Sequence, residues 1–247
     1  RGHPTVLTAE GVVTNPHWLP PALQEKGTLR EQVNFWLGGL SPSLQRTNPF
    51  ADRHAAEGAD PMWLLGRRAE EKVIPREEAL RERVGLLRGL EEAVIDRVIR
   101  DRITLMPGGP ALVATMRANG AYAALVSGGF TAFTGAIAGV LGFDENRANT
   151  LLVEGGRLTG AVAEPILGRA AKVQALEEIS ARLGISPADA VAVGDGANDL
   201  GMLGLAGAGV ALHAKPSVQA QCDIRINHGD LTALLFLQGY AREDFAA

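Results

Sequence analysis

Six consecutive residues, Gly194-Asp195-Gly196-Ala197-Asn198-Asp199, follow the apolar run Ala190-Val191-Ala192-Val193. Glycines let a chain turn tightly after a buried strand. Two carboxylates four positions apart, flanking a turn into a helix, can serve one hard cation in its inner and outer coordination shells. Mg²⁺ favours a few carboxylate oxygens with waters and substrate phosphate. Taken singly, Asp199 reads equally as an acidic residue in a helix's first turn, helped by the dipole, and Asp195 as a turn residue. The full string after an apolar strand favours the metal. A second element is Ser127-Gly128-Gly129, which could be a plain strand-to-helix turn. It could also be a phosphate cradle, with a hydroxyl and backbone N–H groups aimed at an anion. Lys172 is the third candidate. Alone it reads as a solvated helix charge, and beside a phosphoryl group it would neutralise charge.

The elements that must position these residues alternate. Helical spacing of Leu80, Val84 and Leu87 predicts a helix over 77–88, and another follows over 91–102. Pro107-Gly108-Gly109 breaks the chain before a helix at 111–117, which Asn119-Gly120 stops. Tyr122–Val126 has strand length, and a helix follows over 130–141. Leu151–Val153, Gly155-Gly156 and Leu158–Val162 predict a hairpin. Then come a helix over 172–183, a strand at 190–193, a helix from Asn198, strands at 209–212 and 223–226, and a last helix from Leu231.

This alternation predicts an α/β fold, a Rossmann-like parallel sheet with helices on both faces. Ligands in such sheets sit at the carboxyl ends of the strands. Ser127 and Asp195 each follow the last apolar residue of a predicted strand, which puts them on one edge although 68 positions separate them.

Composition bounds the function. The chain has 247 residues, 24 Lys+Arg against 28 Asp+Glu, and 46% apolar residues, an ordinary globular balance. Its slight acidity argues against a nucleic-acid binder that works by phosphate neutralisation. No apolar run reaches the roughly 18 residues of a membrane span. Cys222 is the only cysteine, which excludes an intramolecular disulfide or a multi-cysteine metal cage and predicts a reducing, cytoplasmic home. His213 and His228 read as loop histidines. Eight of the 13 prolines and all three tryptophans precede Arg76. There only Thr5–Thr8 and Val33–Leu37 suggest short elements, so the N-terminal third is expected to be irregular.

The motifs, taken in order, resemble those of a known family. Val126-Ser127-Gly128-Gly129-Phe130, then Lys172, then Val193 to Asp199 match the second, third and fourth motifs of the haloacid dehalogenase-like phosphatases. Leu80-Arg81-Glu82-Arg83-Val84-Gly85-Leu86-Leu87, the Gly155-Gly156 hairpin and Val210–Pro216 narrow the resemblance to the phosphoserine phosphatases. It covers about Glu77 to the C-terminus. It implies a Mg²⁺-dependent phosphomonoester hydrolase acting on phosphoserine at the last step of serine synthesis, with a small helical cap.

By that resemblance, Ser127 and the Gly128 backbone hold the phosphoryl group and Lys172 balances its charge. Asp195 ligates Mg²⁺, Asp199 steadies the metal's shell or Lys172, and Asn198 touches the phosphate side. Arg83, on a cap helix, pairs with the substrate carboxylate, a task suited to its planar fork.

One motif of the family is not found. An Asp-x-Asp pair after a first apolar strand supplies the attacking carboxylate and the acid for the leaving alcohol. Before Arg76 the aspartates are Asp52 and Asp60. Phe50-Ala51-Asp52 faintly resembles the start of that motif, yet His54 stands at the second acid's place and Ala55 at that of the hydroxyl residue. The expected organisation is residues 1–76 as an unassigned extension, frame-shifted or disordered, 77–106 as a cap remnant and 107–247 as the core. The chain is expected to be an inactive relative, with a non-catalytic phospho-ligand binder or a non-functional fragment as alternatives.

Overall fold

The computed structural model describes the backbone of Val12–Thr14 and residues 76–246. The expectations for Thr5–Thr8, Val33–Leu37 and Asp52, and for nearly all of the 1–76 extension, lie outside the described residues.

In chain order the elements are β1 (Val12–Thr14), α1 (Arg76–Gly85), α2 (Ala93–Arg102), β2 (Ile103–Leu105), α3 (Gly109–Ala118), β3 (Ala124–Phe130), α4 (Thr131–Leu141) and β4 (Glu145–Asn149). They continue with β5 (Leu151–Glu154), β6 (Arg157–Val162), α5 (Arg169–Leu183), β7 (Val191–Gly194), α6 (Leu200–Leu205), β8 (Ala208–Leu212), α7 (Pro216–Gln219), β9 (Ile224–Ile226) and α8 (Ala233–Leu237). Short 3₁₀ turns stand at Pro187–Asp189 and Arg242–Asp244. Among the described residues no helix is long and apolar enough to cross a membrane.

These residues fall into two compact units. One holds Leu105–Ala148 and the chain from Leu167 onward. Its β7, β8 and β9 form a parallel sheet in that order, with Gly194 opposite Ala211 and Leu212 opposite Ile226. Alternating side chains cover both faces. Ala192 and Ala211 pack with Ala175, Leu176 and Ile179 of α5 and Met202 and Leu203 of α6. Val193, Val210 and Leu212 face the other way, against Leu112 and Met116 of α3 and Leu234 and Leu235 of α8. The doubly covered parallel sheet expected from the alternation is therefore present. β3 pairs with β4, and its Ala124 and Val126 join the α5-side core. Among the described residues β3 has β4 as its paired strand and β7 has β8.

The other unit includes residues 76–104 and Asn149–Ile166. Its antiparallel hairpin β5–β6 has the expected Gly155-Gly156 turn. The segment after α1 zips onto it: the Gly89 amide donates to the Leu158 carbonyl, and the Leu158 amide to the Leu90 carbonyl, both at 2.8 Å. Helix α1 ends at Gly85 rather than at residue 88. Leu87 and Val84 are buried, but Leu80 is only partly so, and Ala79 takes the inner place.

Ser180 shows a local imperfection on α5. It is fully buried, and among the described residues its hydroxyl has no hydrogen-bond partner. A buried unsatisfied hydroxyl costs about 1–3 kcal/mol, and alanine is the better helix former. Ser180→Ala is therefore expected to raise the denaturation midpoint in urea, by about 1 kcal/mol of stability. An unchanged or lowered midpoint would show that the hydroxyl is satisfied in solution.

Candidate active site

The chain leaves β7 at Gly194 and enters α6 at Leu200, so the six-residue string forms the strand-to-helix turn. Asp199 stands at the helix's N-cap position, yet its side chain caps nothing in α6. It turns back toward the sheet. One oxygen, Oδ2, accepts the Gly196 amide at 2.9 Å, and Oδ1 lies 2.5 Å from Lys172 Nζ. Asp199 is fully buried and Lys172 is 4% exposed. The solvated-charge reading of Lys172 therefore gives way to a buried ion pair with Asp199. Such a pair is tolerated inside a protein only with close geometry and further hydrogen bonds.

Two glycines make room for this arrangement. A Cβ on Gly194 would lie 2.5 Å from Asp199 Cβ and Cγ, and one on Gly196 would lie 2.4 Å from Asn198 Oδ1. The Asp199 side chain thus folds over bare backbone, which explains the glycine at 194, while at 196 the near atom is the movable tip of Asn198. Gly194→Ala is expected to push Asp199 off Lys172 and to cost about 1–3 kcal/mol. A thermal melt of the variant checks this, and an unshifted midpoint would count against the packing described.

Lys172 sits in the first turns of α5, whose N-cap is Gly168. Asp195 stands just past the carboxyl end of β7, half-buried, and its carbonyl accepts the Lys215 amide at 3.3 Å. Asn198 is half-buried in the same turn.

Ser127 departs from expectation in one respect. The strand does not end before it: β3 runs on through Gly129 to Phe130, with Ser127 in its middle and buried. The hydroxyl oxygen accepts the Gly129 amide at 3.0 Å. The chain stays extended through both glycines, and α4 starts only at Thr131. Gly128 is exposed. Val126, next to Ser127, and Ala192, on β7, belong to one core cluster. Arg83 lies on α1 in the other unit, half-buried, while its neighbour Arg81 is exposed and bridges Glu164 at 2.8 Å.

A supporting contact escaped the sequence reading. Buried Thr134 on α4 donates to Asn146 Oδ1 on β4 at 3.0 Å and ties together the elements that follow Ser127. Its only signal, a threonine in an apolar helix, is too common to single out.

The donor chemistry around Asp195 is that of hard oxygens. Among the described residues no group of three or more His, Cys, Asp or Glu could hold a metal. One or two carboxylates at a strand end suit Mg²⁺, which keeps several waters and takes phosphate oxygens. They do not suit a fully protein-ligated zinc site.

Comparisons with known proteins give the family. Residues 43–204 match the family described as haloacid dehalogenase-like hydrolase. A phosphoserine phosphatase of Polaromonas sp. is 46% identical over 164 residues, 65% of this chain and 70% of that protein. A phosphoserine phosphatase of Streptomyces coelicolor is 43% identical over 171 residues, 69% of this chain. That match takes in 42% of the Streptomyces protein, so the chain spans less than half of its length. A substrate-bound phosphoserine phosphatase structure superposes with a TM-score of 0.72 at 29% identity, covering 96% of this chain and 99% of that one. A matched family span of more than half the chain, these relatives and the buried lysine–aspartate pair converge: the chain belongs to the haloacid dehalogenase-like hydrolases.

Proposed function

We propose that this chain carries the phosphoryl-binding site of a phosphoserine phosphatase, a Mg²⁺-dependent hydrolase of small phosphomonoesters in cytoplasmic serine synthesis, and that its own turnover is negligible. The observation that carries the reading is the buried Lys172–Asp199 pair beside Asp195 at the strand end. A lysine held there by a buried acid is oriented for an anion rather than for solvent, and it would neutralise charge on a transferring phosphoryl group. Ser127 and the Gly128 backbone would hold two of the phosphate's oxygens, and Asn198 would touch its flank. Asp199 acts through Lys172 and fixes its direction. Asp195 would hold Mg²⁺, which supplies charge neutralisation at the phosphate oxygens when bound. Arg83 would take the substrate's carboxylate in two-point fashion. In this reading residues 77–106 contribute the cap and 107–247 the core. Phosphoserine is favoured over other phosphomonoesters by the relatives' names and by Arg83.

The proposed lack of turnover is supported by a motif not found in these residues. The Asp-x-Asp pair has no counterpart: nowhere in the 247 residues do two aspartates stand two positions apart. Asp52 lies within the span matched to the family, but His54 occupies the place of the second acid. Without an attacking carboxylate there is no covalent phosphoryl transfer, and losing such a group removes several orders of magnitude in rate. Phosphate release from phosphoserine in Mg²⁺ is expected to stay at background. Release at an ordinary turnover rate would overturn the claim of inactivity and leave the site assignment standing.

A further inference from the structure

His213 is the only non-glycine residue with positive φ, +47°, among the described residues. It follows the last residue of β8, at the end of the sheet where Asp195 follows β7. Its amide donates to the Ile226 carbonyl at 2.8 Å and so carries the β8–β9 ladder one residue further. The left-handed turn at His213 then swings the chain away from β9. Two residues later, the Lys215 amide donates to the Asp195 carbonyl. The imidazole is exposed to solvent, and its Nε2 lies 3.0 Å from the Gly229 carbonyl in the loop after β9. One kink therefore joins the ends of three strands. Strain of this kind persists only where the surroundings over-determine it.

We infer that His213 is a positioning residue for Asp195. It acts through the backbone: its left-handed conformation delivers the Lys215 amide to the Asp195 carbonyl, which holds the main chain from which the Asp195 carboxylate projects. The inference rests on the phosphoryl site proposed above. The Val210–Pro216 segment then has a reason to lie beside the Gly194–Asp199 turn.

Two variants of the full chain separate this role from a merely structural one. Glycine adopts positive φ freely, whereas a β-branched residue resists it. In His213→Gly, the Lys215 amide is expected to stay protected from hydrogen exchange, and the phosphoserine Kd in saturating Mg²⁺ to stay within about threefold of the parent. In His213→Val, that protection should fall, and the Kd should rise about tenfold while the melt remains cooperative. Unchanged Lys215 exchange in His213→Val would overturn the inference, as would a His213→Gly variant as damaged as His213→Val. A parent chain that binds no phosphoserine would sink the phosphoryl reading instead. Lys215 exchange in the two variants would still decide whether the kink holds the Asp195 edge.

Discussion

Replacing Lys172 with methionine is expected to lower stability by about 3–5 kcal/mol, the usual cost of removing one partner from a buried ion pair. Asp199 is fully buried, and Lys172 Nζ stands 2.5 Å from its Oδ1. The variant would leave the Asp199 charge inside the core, still accepting the hydrogen bond from the Gly196 N–H but without its ammonium. For a chain of this size the melting temperature should fall on the order of 10 °C. Changing both partners, Lys172→Met with Asp199→Leu, should recover much of the loss, because an apolar pair of similar volume needs no desolvated charge. A thermal melt of the single and double variants checks the coupling. A double variant no better than the sum of its parts would mean that the two side chains do not act as a pair. The same Lys172→Met change should remove phosphate affinity, so this lysine stands at the meeting of stability and function.

A second large effect centres on the first residue of β4. Glu145 of β4 accepts from the Tyr122 hydroxyl at 2.9 Å, from Arg147 at 2.5 Å and from Arg182, while Arg147 reaches on to Glu178. Arg182 also lies over the Tyr122 ring, 5.3 Å from its centre. Burial raises the Glu145 pKa, and bonds from Arg182, Arg147 and Tyr122 overcome it, leaving the carboxyl at about 2 against an ordinary 4.5. A depressed carboxylate stabilises the fold above its unfolded pKa. The Glu145 contribution, on the order of 3 kcal/mol by the usual conversion, is thus fully present above about pH 5. It is lost as pH falls from there toward 2. Glu145→Gln should lower the urea midpoint at pH 7 and flatten the acid limb of the stability curve between pH 5 and pH 2. An acid limb as steep as the parent's would show that other carboxylates carry the acid sensitivity.

Much of the core was legible in the residues. The runs Ala190–Val193 and Gly209–Leu212 read as strands because both faces of their sheet are covered, which demands nearly continuous apolar sequence. The Gly155-Gly156 hairpin was legible through its turn chemistry. Strand β4 was not: Glu145-Asn146-Arg147-Ala148-Asn149 is polar, and its stability comes from partners such as Tyr122 and Arg182, distant in sequence. Strand β2, three residues long, carries no period of its own. The extension of β3 past Ser127 was hidden for the opposite reason, since Gly128 and Gly129 usually signal a turn. At the site, residue types and spacing pointed to Asp195 and Asp199. That Asp199 would ignore its own helix and bury itself against Lys172 depends on the close approach over Gly194 and Gly196, which spacing alone does not encode.

The most direct test is the affinity of the parent chain for phosphoserine, measured by titration calorimetry with and without Mg²⁺. Saturable binding is expected that strengthens with Mg²⁺ and disappears in Lys172→Met under conditions where that variant is still folded. A cooperatively melting parent chain that gives no heat with phosphoserine, at any Mg²⁺ concentration, would contradict the phosphoryl-site reading.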